Sequence, residues 1–132
     1  MILLDTHIWI WYVDDKEHLS PTARALIEQE APSGLGVSAF SIWEVAKSVS
    51  LGRLSLTLPT WDWLEMASNY PDVVILPLTP AIATDSVNLP GTFHKDPGDQ
   101  IIVATARVYD IELLTLDSKI LKYDHVRLAG KS

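Results

Sequence analysis

The chain has 132 residues, enough for one domain with a substantial hydrophobic core. It contains no cysteine, so disulfides and cysteine-ligated zinc sites are excluded. The net charge of −7 disfavours simple electrostatic binding of nucleic acid but is compatible with carboxylates gathered around a metal ion. Hydrophobic residues make up 48% of the chain, which predicts that another chain covers part of the surface.

The N-terminal run MILLDTHIWIWYV has no basic region before it and no small-residue cleavage site, so we do not interpret it as a targeting segment. No apolar run approaches the length needed to span a bilayer. We therefore expect a cytoplasmic protein that does not enter the membrane.

Short apolar runs alternate along the chain with segments of helical periodicity. Ser20-Pro21 is typical of a helix start, and Gly52 of a helix end. We predict strands at residues 1–4, 35–37, 73–76, 112–116 and 125–128, and helices at residues 8–12, 22–30, 39–50, 60–69, 80–87, 99–109 and 118–121. This alternation predicts an α/β fold with a mainly parallel sheet covered on both faces.

Acidic residues follow two of the predicted strands. ILLD ends at Asp5 and LLTLD at Asp117, and the carboxyl ends of parallel strands meet at one edge of a sheet. Asp96 and Asp99 lie around a proline at the start of the fifth long helix, and Glu44 lies outside the apolar stripe of the third. Like charges gathered in one crevice raise each other's pKa, and a hard cation such as Mg²⁺ or Mn²⁺ removes that cost.

Each of these residues also has a simpler interpretation. Asp5, Asp96 and Asp117 are suited to cap helices, and Asp99 to complete a capping box with Asp96. Glu44 is suited to pair with Lys47, three residues further along the same helix. The sequence alone leaves both interpretations open.

The segments LLDTHIWIW, SAFSIWEVAKSVSLGRLSL, FHKDPGDQIIVATA and LLTLDSKI, in this order and spacing, resemble PIN-domain ribonucleases. More closely, they resemble the VapC-type toxins of toxin–antitoxin pairs. The resemblance runs from Met1 to about Lys122. It implies a single PIN-like nuclease domain over residues 1–132, folded as a three-layer α/β/α sandwich.

The resemblance also implies the site and its chemistry. It indicates metal-dependent endonuclease cleavage of RNA, with Mg²⁺ or Mn²⁺ as cofactor, and places the family's four catalytic acids at Asp5, Glu44, Asp99 and Asp117. Asp96 matches a supporting acidic position, which gives five metal-ligand candidates. Thr6 and Thr115 match hydroxyl positions that hydrogen-bond carboxylates. The expected partners are the RNA substrate, a cognate antitoxin and a second copy of the chain.

Two positions depart from the family pattern, since Gln100 stands where arginine is frequent and Leu116 where a polar residue is frequent. Candidates for a phosphate path are the basic residues near the motifs, Lys47, Arg53, Lys95 and Lys119. For His7 and His94 we expect structural or surface roles.

Four tryptophans lie in two i,i+2 pairs, Trp9 with Trp11 and Trp61 with Trp63, and such residues cannot share a helix face. We expect one of each pair in the core and the other at the surface or against a partner. Stacking of RNA bases on these rings is an alternative.

Other functions with strand-end aspartates fit less well. A phosphoacceptor receiver needs an acidic pair before its central strand, and a haloacid-dehalogenase phosphatase needs DxDx[TV] where this chain has DTHIW. A catalytically degenerate PIN-like module that binds RNA or protein remains the alternative to the nuclease.

Overall fold

The structure is a computed structural model that describes residues 1–130. The last two residues of the predicted 1–132 domain lie outside this range. The strands are β1 Ile2–Leu4, β2 Leu35–Ser38, β3 Val73–Leu76 and β4 Glu112–Leu114. The α-helices are α1 Thr6–Asp14, α2 Pro21–Glu30, α3 Ala39–Ser50, α4 Thr60–Ser68, α5 Pro80–Ser86, α6 Pro97–Tyr109 and α7 Ser118–Leu121.

The four strands form one sheet in the order β3-β2-β1-β4, and every pair is parallel. Strand β1 is central, because Ile2 lies opposite Leu35 of β2 on one side and Glu112 of β4 on the other. The carboxyl ends of β1 and β4 are therefore neighbours, which confirms the topology on which the convergence of acidic residues depended.

Successive residues of β1 point to opposite faces of the sheet and join two separate cores. Ile2 and Leu4 pack with the buried apolar residues of α1 to α4, whereas Leu3 packs with those of α6 and α7. The result is three layers, helices on both sides of a parallel sheet, as predicted.

The local start signals act as the sequence indicated. Ser20 accepts a hydrogen bond from Ala23 N with Pro21 in the first turn of α2. Asp96 caps α6 in the same way: its side chain accepts a hydrogen bond from Asp99 N, and Pro97 lies in the first turn. The helix boundaries predicted from these signals were accurate to within a few residues.

The tryptophan pairs divide as predicted. Trp9 and Trp63 are fully buried and meet edge to face with ring centroids 5.2 Å apart. Trp61 is 75% exposed, and Trp11 is half-buried.

The final predicted strand, 125–128, is wrong. This segment makes only an isolated bridge between Leu113 and Leu128. The backbone oxygen of His125 accepts a hydrogen bond from the Arg107 guanidinium at 2.7 Å, so a side chain uses a group that a strand would give to its neighbour. Among residues 1–130, no helix is long and apolar enough to cross a membrane.

Candidate active site

A cleft of about 390 Å³ opens at the carboxyl ends of β1 and β4. All five acidic residues predicted from the sequence lie on its walls: Asp5, Glu44, Asp96, Asp99 and Asp117. They come from the ends of two strands and from helices α3 and α6. The structure thus brings together residues that are up to 112 positions apart in the chain, counted from 5 to 117.

Asp5 lies between β1 and α1 and is held through both carboxylate oxygens. Oδ1 accepts a hydrogen bond from Thr6 N at 2.8 Å, and Oδ2 accepts one from the Thr115 hydroxyl at 2.6 Å. Burial raises the pKa of Asp5, although these two bonds oppose the rise. Asp5 is therefore both the N-cap of α1 and a fixed wall of the cleft.

Thr115 ties the two strand ends together. Its hydroxyl donates to Asp5 and accepts a hydrogen bond from Asp117 N at 3.0 Å. Asp117 Oδ1 then accepts bonds from Lys119 N at 2.8 Å and Ile120 N at 3.3 Å, which caps α7. One hydroxyl thus sets the relative position of two site carboxylates.

Glu44 is held from α1 rather than by Lys47. The Thr6 hydroxyl donates to Glu44 Oε1 at 2.8 Å and lies 2.7 Å from the hydroxyl of Ser41, which is fully buried. Since the single Thr6 proton goes to Glu44, Ser41 is the donor to Thr6. Burial raises the pKa of Glu44, with smaller contributions from the neighbouring carboxylates of Asp5 and Asp96.

The start of α6 approaches α3 closely, and Gly98 permits this. A Cβ at this buried glycine would lie 2.8 Å from Glu44 Oε2 and 2.9 Å from Phe40 Cε1. Asp96 Oδ1 accepts the Asp99 N–H at 3.0 Å, so the predicted cap is present. The residue between the two aspartates therefore lets α6 lie against Glu44.

Asp99 is strongly perturbed by its place in the cleft. Burial, followed by the negative charges of Asp117, Asp5, Asp96 and Glu44, raises the pKa of Asp99 from 3.8 to about 7. This is the electrostatic cost expected of carboxylates that share a crevice.

His94, for which we expected a structural or surface role, lies directly against this carboxylate. Its Nε2 atom is 2.9 Å from Asp99 Oδ2, but the carboxylate is not aligned with the ring N–H, so the contact is an ion pair when the ring is protonated. Gln100, which replaces the arginine frequent in the family, donates to the backbone oxygen of His94 at 3.1 Å. Gln100 therefore holds the loop that carries His94.

Sequence reasoning missed Ser41, Gly98 and His94. A buried serine one turn before a glutamate is an unremarkable helix pattern, and a glycine near a helix start indicates no particular neighbour. For His94 the sequence does carry a signal, because it lies only five residues before Asp99. The hydroxyl predictions were confirmed, since Thr115 and Thr6 do bond carboxylates.

The basic residues named from the sequence surround the cleft unevenly. Arg53 lines an adjoining recess of about 270 Å³ that shares Thr6, His7 and Glu44 with the cleft. Lys95 lines a separate hollow with Gln100, and Lys47 and Lys119 are exposed. Of the four, Arg53 is best placed to meet a ligand that extends out of the cleft.

The donor set suits a hard divalent cation. The five side chains offer only oxygen ligands, and no lysine or arginine side chain within residues 1–130 forms an ion pair with any of them. In the same part of the chain, no three acidic or imidazole groups are close enough to form a ready-made coordination shell. An ion that keeps several of its waters and takes only one or two carboxylates fits such an arrangement.

Comparison with known proteins agrees with this geometry. The PIN domain model matches residues 2–126. Ribonuclease VapC22 of Mycobacterium tuberculosis is 32% identical over 126 residues, covering 96% of this chain and 94% of the relative.

Solved structures share the fold at lower identity. VapBC2 from Rickettsia felis, bound to a promoter DNA fragment, matches with a TM-score of 0.69 at 15% identity over 97% of both chains. FitAcB from Neisseria gonorrhoeae matches with a TM-score of 0.66 at 22% identity, covering 97% of this chain and 96% of that one. A toxin–antitoxin complex from Klebsiella pneumoniae matches with a TM-score of 0.65 at 22% identity, covering 96% and 95%. Since the family model spans nearly the whole chain, the chain belongs to the PIN domain family.

Proposed function

We propose that this protein is a VapC-type endoribonuclease toxin that hydrolyses RNA phosphodiester bonds with Mg²⁺ or Mn²⁺. The observation that carries the proposal is the cleft of five carboxylates, with Asp99 raised to a pKa of about 7 by burial and its acidic neighbours. The relative from M. tuberculosis, named a ribonuclease, supports the class of reaction.

In this proposal Asp5, Glu44, Asp99 and Asp117 are the catalytic acids, and they hold the metal together with Asp96. When bound, the metal would polarise the phosphoryl group and activate a water molecule for attack. Thr115 keeps Asp5 and Asp117 at a fixed separation, and the Ser41–Thr6 pair fixes Glu44. The carboxylates are thereby positioned before substrate arrives, so little reorganisation is needed at the moment of reaction.

We further propose that the domain acts as a single unit over residues 1–132, in the cytoplasm, where its RNA substrate is found. The structural neighbours named as toxin–antitoxin complexes support a cognate antitoxin as partner. The exposed apolar side chain of Trp43, at 57% exposure, supplies surface for an antitoxin or for a second copy of the chain.

The test is cleavage of a mixed pool of cellular RNA by purified protein in Mg²⁺, in Mn²⁺ and in EDTA. We expect discrete cuts with either metal, none in EDTA, and none with Asp5→Asn. Asparagine keeps the shape of the side chain and one oxygen that can cap α1, although its amide nitrogen cannot accept the bond from Thr115, so the variant removes the charge while the α1 cap is retained. A folded wild-type protein that cuts nothing under either metal would overturn the nuclease and favour the degenerate binding module.

A further inference from the structure

Three aromatic rings form a continuous row along the first helix and the turn after it. His7 and Trp11 lie one turn apart on α1, with ring centroids 6.0 Å apart. His18, in a short 3₁₀ turn, stacks on Trp11 with centroids 4.2 Å apart and planes inclined by 29°. The row is therefore built from two sequence segments.

This row ends in the candidate active site. His7 and Trp11 line the same cleft as the five carboxylates, and His7 follows Asp5 by two residues. His7 is exposed, and the His18 side chain is 56% exposed, so the row is open to solvent at both ends. Trp11 also packs against the core, which fixes its ring in place.

Charge decides what such a row can bind. The protein carries a net charge of −7, and no lysine or arginine lies among the residues that line the cleft within the described part of the chain. Most proteins hold RNA largely through contacts with its phosphates. The acidic walls of this cleft repel any phosphate whose charge is not neutralised by a metal ion. Stacking on aromatic rings does not depend on charge and accepts any base.

We propose that the His7–Trp11–His18 row is a subsite for an unpaired nucleobase of the RNA substrate, next to the phosphate that is cut, with Trp11 as the main contact. This inference rests on the proposed function for the identity of the ligand.

The experiment measures binding separately from cleavage. The Asp5→Asn protein, which does not cut, is titrated in Mg²⁺ with a short mixed-sequence single-stranded RNA and with a ribose-phosphate strand of the same length that lacks bases. The same titrations are made with Trp11→Leu, Trp11→Phe and Trp61→Leu added to Asp5→Asn. Leucine keeps apolar bulk against the core, phenylalanine keeps a ring, and Trp61 is an exposed tryptophan outside the cleft.

We expect Trp11→Leu to weaken binding of the RNA by about tenfold and to leave binding of the strand without bases unchanged. Trp11→Phe should recover most of the loss, and Trp61→Leu should change neither ligand. Equal affinity of the parent and Trp11→Leu proteins for the RNA, with both folded, overturns the subsite. An equal loss with the strand that lacks bases also overturns it, because it shows a general disturbance of the cleft.

Cleavage by the wild-type background separates this inference from the proposed function. If the wild-type protein cuts RNA and Trp11→Leu cuts with unchanged KM, the nuclease stands and the subsite fails. If the wild-type protein cuts nothing but the binding difference is found, the subsite stands and the nuclease fails. When both hold, KM should rise with little change in kcat, as for contacts equal in ground and transition states.

Discussion

Carboxylates lie at both ends of helix α6, but the charged groups around them differ. Near its last turn, the Arg107 guanidinium binds Asp85, with Nε 2.9 Å from Oδ2 and a second bond at 3.4 Å. At its first turn, Asp99 faces four other acidic groups and a single histidine. The Asp85 and Asp99 side chains are similarly exposed, at 23% and 19%, so the two ends of α6 differ in the charged partners that they supply rather than in access to solvent.

Asp85 and Asp99 show how a structural carboxylate differs from one that is available for chemistry. Asp85 has a partner supplied by the chain, and its charge holds α5 against α6 and the Arg107 side chain in place. Asp99 is placed where its charge is costly, with only the helix N-terminus and His94 to offset it. A carboxyl group whose pKa is raised in this way is typical of functional sites, and a cation bound from outside would remove the cost of its charge.

Neutralising Asp85 and Asp99 in turn tests whether the two ends of α6 differ in this way. We expect Asp99→Asn to lower cleavage by more than about a hundredfold, since loss of an outer-sphere partner alone costs about 10–100-fold. Metal-free Asp99→Asn should unfold at the same temperature as the wild type or higher, because repulsion is relieved. Calorimetry with and without Mn²⁺, beside the cleavage assay, measures both effects.

Asp85→Asn is the matched control at the other end of α6. It should retain cleavage and lose about 1–3 kcal/mol of stability, because the Arg107 guanidinium loses its charged acceptor. If Asp99→Asn instead lowers the metal-free melting temperature as much as Asp85→Asn does, Asp99 is a structural residue and the distinction collapses.

A second substitution tests the close approach of the first turn of α6 to α3. Gly98→Ala places a methyl group 2.8 Å from Glu44 Oε2, so we expect a loss of about 1–3 kcal/mol from overpacking. Cleavage should fall by about a hundredfold as the carboxylates are displaced. Denaturant unfolding and kinetics report the two effects.

Gly52→Ala is the control for this substitution, since it strains a left-handed backbone with φ +70° but has open space and lies away from the cleft. It should cost about 1 kcal/mol and leave cleavage intact. Alanine favours helices over glycine by about 1 kcal/mol, so a Gly98→Ala protein that is more stable and fully active contradicts the packing account.

Thr115→Val tests how the strand ends position the carboxylates of the cleft. It removes the hydroxyl that bonds Asp5 and Asp117 N while keeping a branched side chain of similar size. We expect cleavage to fall by about 10–100-fold, as for loss of other groups that orient metal ligands, and stability by about 1–2 kcal/mol. Ser55→Ala, at an exposed position, is the control for loss of a hydroxyl. A fully active Thr115→Val protein would show that Asp5 holds its position without the hydroxyl.

The stability of the metal-free protein should also depend on pH. The Asp99 pKa is about 7 in the folded state against an ordinary value of 3.8, so between these values the folded state holds a proton that the unfolded state has lost. Stability should therefore fall as pH rises from about 4 to 7 and then level off. Melting temperatures measured in EDTA across this range test the sign.

In Asp99→Asn the slope should flatten, with a remainder from Asp5 and Glu44, whose pKa values are raised in the same direction. A wild-type protein whose stability rises over the same range would mean that pairing, not repulsion, dominates the cleft.

The sequence predicted the elements and the members of the site better than it predicted the contacts between them. Asp96-Pro97 and Ser20-Pro21 are local signals, and helices began where they indicated. Strand-end aspartates could be placed at one edge because parallel topology leaves little choice. The strand predicted at residues 125–128 does not form because the His125 backbone oxygen accepts a hydrogen bond from Arg107. Arg107 lies 18 residues earlier in the chain, so a local pattern does not indicate this contact.

The site residues that the sequence did not indicate were missed for the same reason, since their roles depend on contacts with distant parts of the chain. Ser41 acts on Glu44 only through Thr6, which is 35 residues away, and Gly98 matters only because Glu44 lies against it. These relations come from packing, and no local pattern in the chain encodes them. The resemblance to a family indicated which acidic residues belong to the site. The distances between them and the directions of their pKa shifts follow only from the folded structure.

Three of the five acidic residues in the cleft, Asp5, Asp96 and Asp117, are also helix N-caps. Asparagine caps helices as well as aspartate does, and every aspartate codon becomes an asparagine codon by one nucleotide change. A gene for this protein therefore stands one point mutation, at any of three codons, from a folded chain with an altered cleft. On the proposed function, such a change would silence an active copy while keeping a chain whose outer surfaces are unchanged and still able to engage its partners.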